Sequence, residues 1–205
     1  MKEFSVISPV DGSVYAQRHY ASVEEINAAL ARAQLAQPQW HSTALAQRQR
    51  LCSAMVDAFL DNSDEIARQI CWQMGRPLQY AAGEVRGLAE RARYMIEVAP
   101  QALRTIELEE QPGFTRYIKR EPLGTVLVIA PWNYPYLTAI NSIIPALLAG
   151  NVVLLKHSAQ TPLCAEQLHR AFVAAGLPAG VFQFLHLGHA DTEQLVAHPA
   201  IDQIA

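Results

Sequence analysis

Apolar positions along this chain follow two different periods, and the change from one to the other falls near Glu110. Two short alternating runs at the amino end, Phe4-Ser-Val-Ile-Ser8 and Ser13-Val-Tyr-Ala16, flank the turn residues Pro9-Val-Asp-Gly12 and predict a small hairpin. Helical spacing then takes over. Ser22, with Glu25 three positions on, forms a capping box for a helix with the apolar stripe Ile26, Ala29, Leu30 and Ala33 and an end expected near Pro38. Leu51, Met55, Val56 and Phe59 repeat that spacing over Leu45 to Leu60. Asn62 or Ser63 caps a third helix that Gly75 and Pro77 stop after Met74, and a fourth spans about Leu78 to Val98, ahead of Pro100. The region up to about Leu108 is therefore expected to be mostly helical, with no phosphate loop.

Beyond it the period becomes that of strands. Phe114 to Arg120 alternates apolar and polar residues, which predicts a half-exposed strand. From Glu121 the order is strand (Thr125 to Ala130), helix (about Tyr136 to Leu148), strand (Val152 to Lys156), helix (about Pro162 to Ala175), strand (Val181 to Leu185), short helix (about Asp191 to Ala197) and an incipient strand at Gln203 to Ala205. Strand and helix in alternation with short connections predict an α/β fold with a doubly wound parallel sheet. The chain stops as that last strand opens, so the expectation is the front part of a longer protein.

Composition narrows the function classes. A net charge of −3 without clustered Lys or Arg excludes a nucleic-acid footprint, and Arg86 to Arg93 mixes both signs like a solvated helix face. No apolar run approaches the roughly 20 residues of a spanning helix, and the start is unlike a signal peptide, so no membrane partner and a cytoplasmic location are expected. Three widely spaced cysteines, Cys52, Cys71 and Cys164, form neither a disulfide framework nor a zinc pattern and read as small core residues. Cys164 falls in the first turn of a helix, where the dipole favours a thiolate, but no basic neighbour supports a nucleophile. His186 with His189, and Glu166 with His169, lack the further ligands of a metal site. Glu84, beside Val85 and Arg86, reads as a surface ion-pair member.

Candidate chemistry gathers where the first buried strand ends. Pro131 removes a ladder donor after Ala130, and open α/β sheets bind ligands at their strands' carboxyl ends. A Gly-x-Gly-x-x-Gly turn is absent there; Pro131-Trp-Asn-Tyr-Pro135 stands in its place. Lys156 closes the second buried strand and is expected to project from the same edge, where a ribose or phosphate could lie. Ser158 and Thr161 are candidate caps for the following helix, presenting its backbone N–H groups. The Asn133 carboxamide can donate to a developing oxyanion, a contribution of roughly 3 kcal/mol when the group is held rigidly; its plainer reading is an Asx-turn residue.

Glu121-Pro-Leu-Gly124, the strand, Pro131-Trp-Asn-Tyr-Pro135, Pro145-Ala-Leu-Leu-Ala-Gly-Asn151 and Val153-Leu-Leu-Lys156 with Ser158 and Thr161-Pro162 resemble, in order and spacing, the NAD(P)-dependent aldehyde dehydrogenase superfamily. Weaker agreement extends through Trp40, Arg48, Met74-Gly75, Pro77 and Glu84-Val85, and Gly176 to Gly180 fits the usual lead-in to the third strand. The resemblance implies an incomplete cofactor-binding sheet, with residues 1–110 forming the hairpin and helices of the cofactor domain, 111–121 a strand of an oligomerisation hairpin, 122–205 the first part of the Rossmann-like domain, and the catalytic domain absent. It implies that Asn133 is the oxyanion-hole asparagine, that Ile129, Ala130, Pro131 and Trp132 line the nicotinamide side of the cleft, and that Lys156 binds the adenosine ribose with Ser158 and Ala159 alongside. Tyr134 falls where the family puts an aromatic wall of the tunnel for the aldehyde, its small-molecule substrate, and the full-length protein would be a homo-oligomer.

Three departures from the family pattern carry meaning. Ala159 stands where a glutamate often grips both ribose hydroxyls, so NADP should be tolerated as well as NAD. Ser142 replaces a lysine often implicated in proton relay, and the turn Leu187 to Thr192 is poorer in glycine than in many members. The general-base glutamate and nucleophilic cysteine of the family lie beyond the reach of this chain, so the isolated chain is expected to be inactive. The alternative is a non-catalytic interaction module that assembles with a full-length homologue through its alternating strand.

Overall fold

The computed structural model describes residues 2–205. The amino-terminal hairpin pairs β1 (Glu3–Ile7) with β2 (Val14–His19) antiparallel. Four helices follow: α1 (Val23–Ser42), α2 (Leu45–Leu60), α3 (Ser63–Met74) and α4 (Leu78–Ala102). Ser22 and Glu25 form the expected capping box, and Gly75, at φ 78°, ends α3 in the left-handed conformation. Asn62 sits at the α3 cap position, yet its carboxamide turns back to the Ala58 carbonyl.

Both prolines expected to end helices lie inside them. α1 continues past Pro38 to Ser42 and α4 past Pro100 to Ala102. Each proline is exposed, whereas Trp40 and Ala99 beside them are buried, and the Trp40 indole N–H donates to the Leu147 carbonyl at 3.0 Å. Packing of the inner face thus outweighs the single ladder bond that a proline forfeits on the outer one.

The parallel sheet contains β5 (Thr125–Ala130), β6 (Val152–His157), β7 (Phe182–Phe184) and β8 (Gln203–Ile204) in the order β7-β6-β5-β8, joined by α5 (Pro135–Leu148), α6 (Pro162–Ala174) and α7 (His189–Val196). Val126, Val128, Ala130, Val153 and Leu155 face a large core shared with α2 to α6, while Leu127 and Leu154 face Ala29 and Leu30 of α1 and Leu195 of α7. Helices cover both faces, which explains why β5 and β6 read as continuous apolar runs. No described helix is long and apolar enough to cross a membrane.

The start of β5 is fixed by side chains. Asn151 accepts from the Leu123 and Gly124 amides at 2.7 and 2.9 Å, and Asp202 accepts from the Thr125 amide at 2.8 Å. Gly124, at φ 135°, passes so close to the Asp202 carboxylate that a Cβ would collide with it. The remaining hairpin departs from expectation. Of the predicted half-exposed strand, Tyr117–Ile118 forms a ladder (β4) and Phe114 a lone bridge to Gln111; the partner of β4 is Ile106–Glu107 (β3) at the end of the region expected to be helical, and all four ladder residues are exposed. Alternation was not matched by a layer beneath it.

Candidate active site at the carboxyl end of the sheet

Register sets the geometry. Ile129 lies opposite Lys156 and Ala130 opposite His157, so the two central strands end side by side. Ala130 and His157 are buried on the face of the main core, and Ile129 and Lys156 share the other face, above Leu127 and Leu154. Lys156 is half-buried, and desolvation lowers its pKa with no carboxylate nearby to oppose the shift. A cation held this way is a ready donor for a ligand hydroxyl or phosphate. Ser158 and Ala159 continue from it, half-buried, and no acidic residue occurs from Lys156 to Thr161.

After Ala130 the chain leaves the sheet as the exposed turn Pro131 to Tyr134, and buried Pro135 occupies the first turn of α5. Trp132 is 52% and Tyr134 50% exposed. The Asn133 side-chain oxygen accepts from the adjacent Tyr134 amide at 3.0 Å, one residue short of the i+2 bond that defines an Asx turn and that Pro135, lacking an N–H, could not supply; the Nδ2 protons have no partner among the described residues. A local backbone bond and an available donor are therefore compatible, because they use opposite ends of one carboxamide.

Buried groups hold this exposed turn from two sides. Arg76 donates through Nη2 to the Asn133 carbonyl at 2.8 Å, its guanidinium lies 4.6 Å from the Tyr134 ring centre, and its Nη1 pairs with Glu84 Oε2 at 2.6 Å. The other oxygen of Glu84 accepts from the Tyr136 and Leu137 amides at 3.1 and 3.0 Å, satisfying orphan donors at the start of α5. From the opposite side His157 Nε2 donates to the Pro135 carbonyl at 2.9 Å, and its Nδ1 accepts from the Thr161 hydroxyl at 3.1 Å. Burial pulls the His157 pKa to about 4, so the ring is neutral and this tautomer is fixed by its partners.

Several expectations are corrected here. Glu84 is only 4% exposed, so its ion pair is internal and not on the surface. The spacing contained the signal: Ala81, Glu84, Val85 and Leu88 form one apolar stripe of α4, which places the carboxylate inward. Ser158 and Thr161 do not cap α6 with their side chains; Ser158 accepts from the Gln160 amide, Thr161 turns to His157, and Gln73 of α3 accepts from the Leu163 amide. Arg76, wedged between Gly75 and Pro77, and buried His157 went unrecognised as supports because their partners come from distant segments.

The remaining reactive groups are structural. Burial pushes the Cys52 and Cys164 thiols up to about 12, which removes thiolate character at neutral pH, and Cys71 lies half-buried on α3. His186 pairs with Glu166, itself bonded by Arg18, while His169 packs on Phe182 and Phe184. No group of three or more potential metal ligands occurs among the described residues. The arrangement offers an amide donor, an apolar wall and a cation at one strand edge, with no cysteine among the described residues beside them.

Comparisons with known proteins agree with this architecture. Residues 1–205 match the model of the Aldehyde dehydrogenase family. A succinate-semialdehyde dehydrogenase [NADP(+)] of Deinococcus radiodurans is 33% identical over 100% of this chain, which spans 43% of that relative's length. Among solved structures, the NADP-dependent glyceraldehyde-3-phosphate dehydrogenase of Bacillus halodurans complexed with NADP is 31% identical with a TM-score of 0.90, over 99% of this chain and 44% of that one. The NAD-dependent benzaldehyde dehydrogenase of Corynebacterium glutamicum is 28% identical with a TM-score of 0.91, over 99% of this chain and 45% of that one. With the family model matched along its whole length and the same fold recovered in both solved enzymes, this chain belongs to the aldehyde dehydrogenase family and spans somewhat under half the length of the relatives it matches.

Proposed function

We propose that this chain forms the cofactor-side and oxyanion-side part of an NAD(P)-dependent aldehyde dehydrogenase that oxidises an aldehyde to a carboxylate. The observation that carries the reading is the Asn133 carboxamide, which is anchored through its oxygen and free at Nδ2, on the strand edge that also presents Lys156. Bound NAD(P)+ supplies the hydride acceptor. Lys156 would hold the adenosine ribose through its half-buried ammonium, with Ser158 and Ala159 alongside, and Ile129, Ala130, Pro131 and Trp132 would wall the nicotinamide side. The absence of a carboxylate between Lys156 and Thr161 leaves room, electrostatically, for a 2′-phosphate, so NADP is accepted as well as NAD.

Asn133 Nδ2 would donate to the aldehyde oxygen as it gains negative charge, and Tyr134 would wall the aldehyde's path. Charge stabilisation of this kind acts only on the transition state and so raises kcat. The attacking thiolate and the base that completes turnover must come from other residues, because Cys52 and Cys164 are buried as neutral thiols and Cys71 lies on α3, not at the strand edge. The 205-residue chain alone is therefore inactive.

The test joins this chain to the remaining part of the Deinococcus relative and follows aldehyde-dependent NADPH formation. Activity is expected from the joined protein and none from the chain alone. Asn133→Ala should lower kcat about 10²- to 10³-fold with little change in cofactor affinity. Unchanged turnover in that variant would remove Asn133 from the chemistry. A second reading, an interaction module that assembles with a full-length homologue as part of a homo-oligomer, is favoured by one feature, the wholly exposed β3–β4 hairpin.

A further inference from the structure

The Arg76–Glu84 pair is more elaborate than holding the α3–α4 connection against α4 requires. Glu84 uses one oxygen for Arg76 and the other for two amides of α5, and Arg76 spends its second nitrogen on the Asn133 carbonyl while its plane covers Tyr134. Every polar contact of the pair that leaves α3 and α4 thus ends on residues 133–137. We propose that Arg76 and Glu84 are positioning residues that fix the direction of the Asn133 carboxamide, so that the oxyanion donor is preset before substrate arrives; this rests on the oxyanion role given to Asn133 above.

Three physical points support the assignment. Trp132, Asn133 and Tyr134 are all exposed and none belongs to the buried core, so core packing alone does not orient the turn. The bond from the adjacent Tyr134 amide ties the carboxamide to its own backbone, so whatever fixes the backbone at Asn133 and Tyr134 fixes the direction of Nδ2. Arg76 is the group that grips both of those residues, and Glu84 determines where Arg76 sits. A planar guanidinium satisfies this geometry, whereas a lysine ammonium could pair with Glu84 but could not also lie flat on Tyr134.

Nitrogen-15 relaxation of the Asn133 side chain in the 205-residue chain tests the proposal without substrate. In the unaltered protein the Asn133 Nδ2 group should show order close to that of rigid backbone, about 0.8, and in Arg76→Lys it should fall below about 0.6. Glu84→Gln, which keeps an oxygen for the Tyr136 and Leu137 amides while losing the charge that seats Arg76, should loosen Asn133 in the same way and leave those two amides protected from exchange. Unchanged Asn133 order in both variants would overturn the proposal. So would loosening that spreads equally through β5 and β6, since the pair would then hold the fold and not the turn. Because the measurement involves no catalysis, its failure is distinct from failure of the oxyanion role, which only Asn133→Ala in the joined enzyme addresses.

Discussion

The Asn133 turn and the β3–β4 hairpin expose comparable amounts of apolar surface, yet they are built in opposite ways. Trp132 and Tyr134 are about as exposed, at 52% and 50%, as Tyr117 and Ile118 of the hairpin, at 55% and 49%. Beneath the turn lie buried Glu84, His157 and Pro135, with Arg76 reaching up from them. The hairpin instead rests on exposed contacts, such as Arg120 to the Ala102 carbonyl at 2.7 Å and Phe114 to the Gln111 carbonyl at 3.0 Å. Exposure alone therefore says little about rigidity. A surface turn rooted in buried polar groups is set in one geometry, whereas a surface hairpin without such roots gains its order from whatever covers it.

Cutting the root of the turn should have the largest effect. Glu84→Leu strands Arg76 beside an apolar side chain and leaves the Tyr136 and Leu137 amides without their acceptor. Urea unfolding should show a loss of about 3–5 kcal/mol. The double variant Arg76→Met/Glu84→Leu should recover much of that loss, because removing both charges avoids an unpaired one. A single-variant loss below about 1 kcal/mol would mean that water replaces the pair and that the turn is not rooted as described.

How far the sequence revealed these two regions follows from where their partners lie. The strand Thr125 to Ala130, α2 and the alternation of strand and helix that builds the parallel sheet were legible because periodicity and flanking prolines are local signals. Asn133 and Lys156 stand out in the sequence by motif and by position at strand ends. Their supports were not, since Glu84 reaches α5 across 52 residues and Gln73 reaches α6 across 90. Pairings of that separation leave no local period. Pro38 and Pro100 misled for the complementary reason, that a local breaker was overridden by the tertiary packing of Trp40 and Ala99. The hairpin gave an alternating pattern, but alternation reports only that one face expects cover, not what supplies it.

The second root of the turn titrates. The folded-state pKa of His157 lies near 4, below its ordinary 6.5, chiefly because burial penalises the charged ring. A depressed value means that the unfolded chain binds the proton more readily. Stability linked to His157 is therefore complete above about pH 6.5 and is lost as pH falls towards 4. The loss should be about 3 kcal/mol. Glu166 acts in a lower window: burial opposes its ionisation, but bonds from His186 and Arg18 hold its pKa near 2, so its contribution fades below about pH 4.5. Urea midpoints measured from pH 7 to pH 3 should fall in two stages. His157→Asn should remove most of the upper stage, leaving only what half-buried His169, whose pKa burial also lowers, contributes, and should leave the lower stage intact; an undiminished upper stage would show that His157 is not the titrating root.

The hairpin should show the smallest response in the isolated chain and is the sharper test of the contrast. Phe114 is 68% exposed, and β3 and β4 pair over only two residues each, so Phe114→Ser and Tyr117→Ser remove little buried surface. Each should change unfolding stability by no more than about 0.5 kcal/mol. If a second copy of the chain covers this hairpin, the same substitutions should weaken self-association measured by sedimentation far more than they weaken folding, because burial is then supplied by the partner. Should either serine variant cost more than about 1 kcal/mol in dilute, monomeric protein, the hairpin would have a root of its own and the contrast with the Asn133 turn would fail.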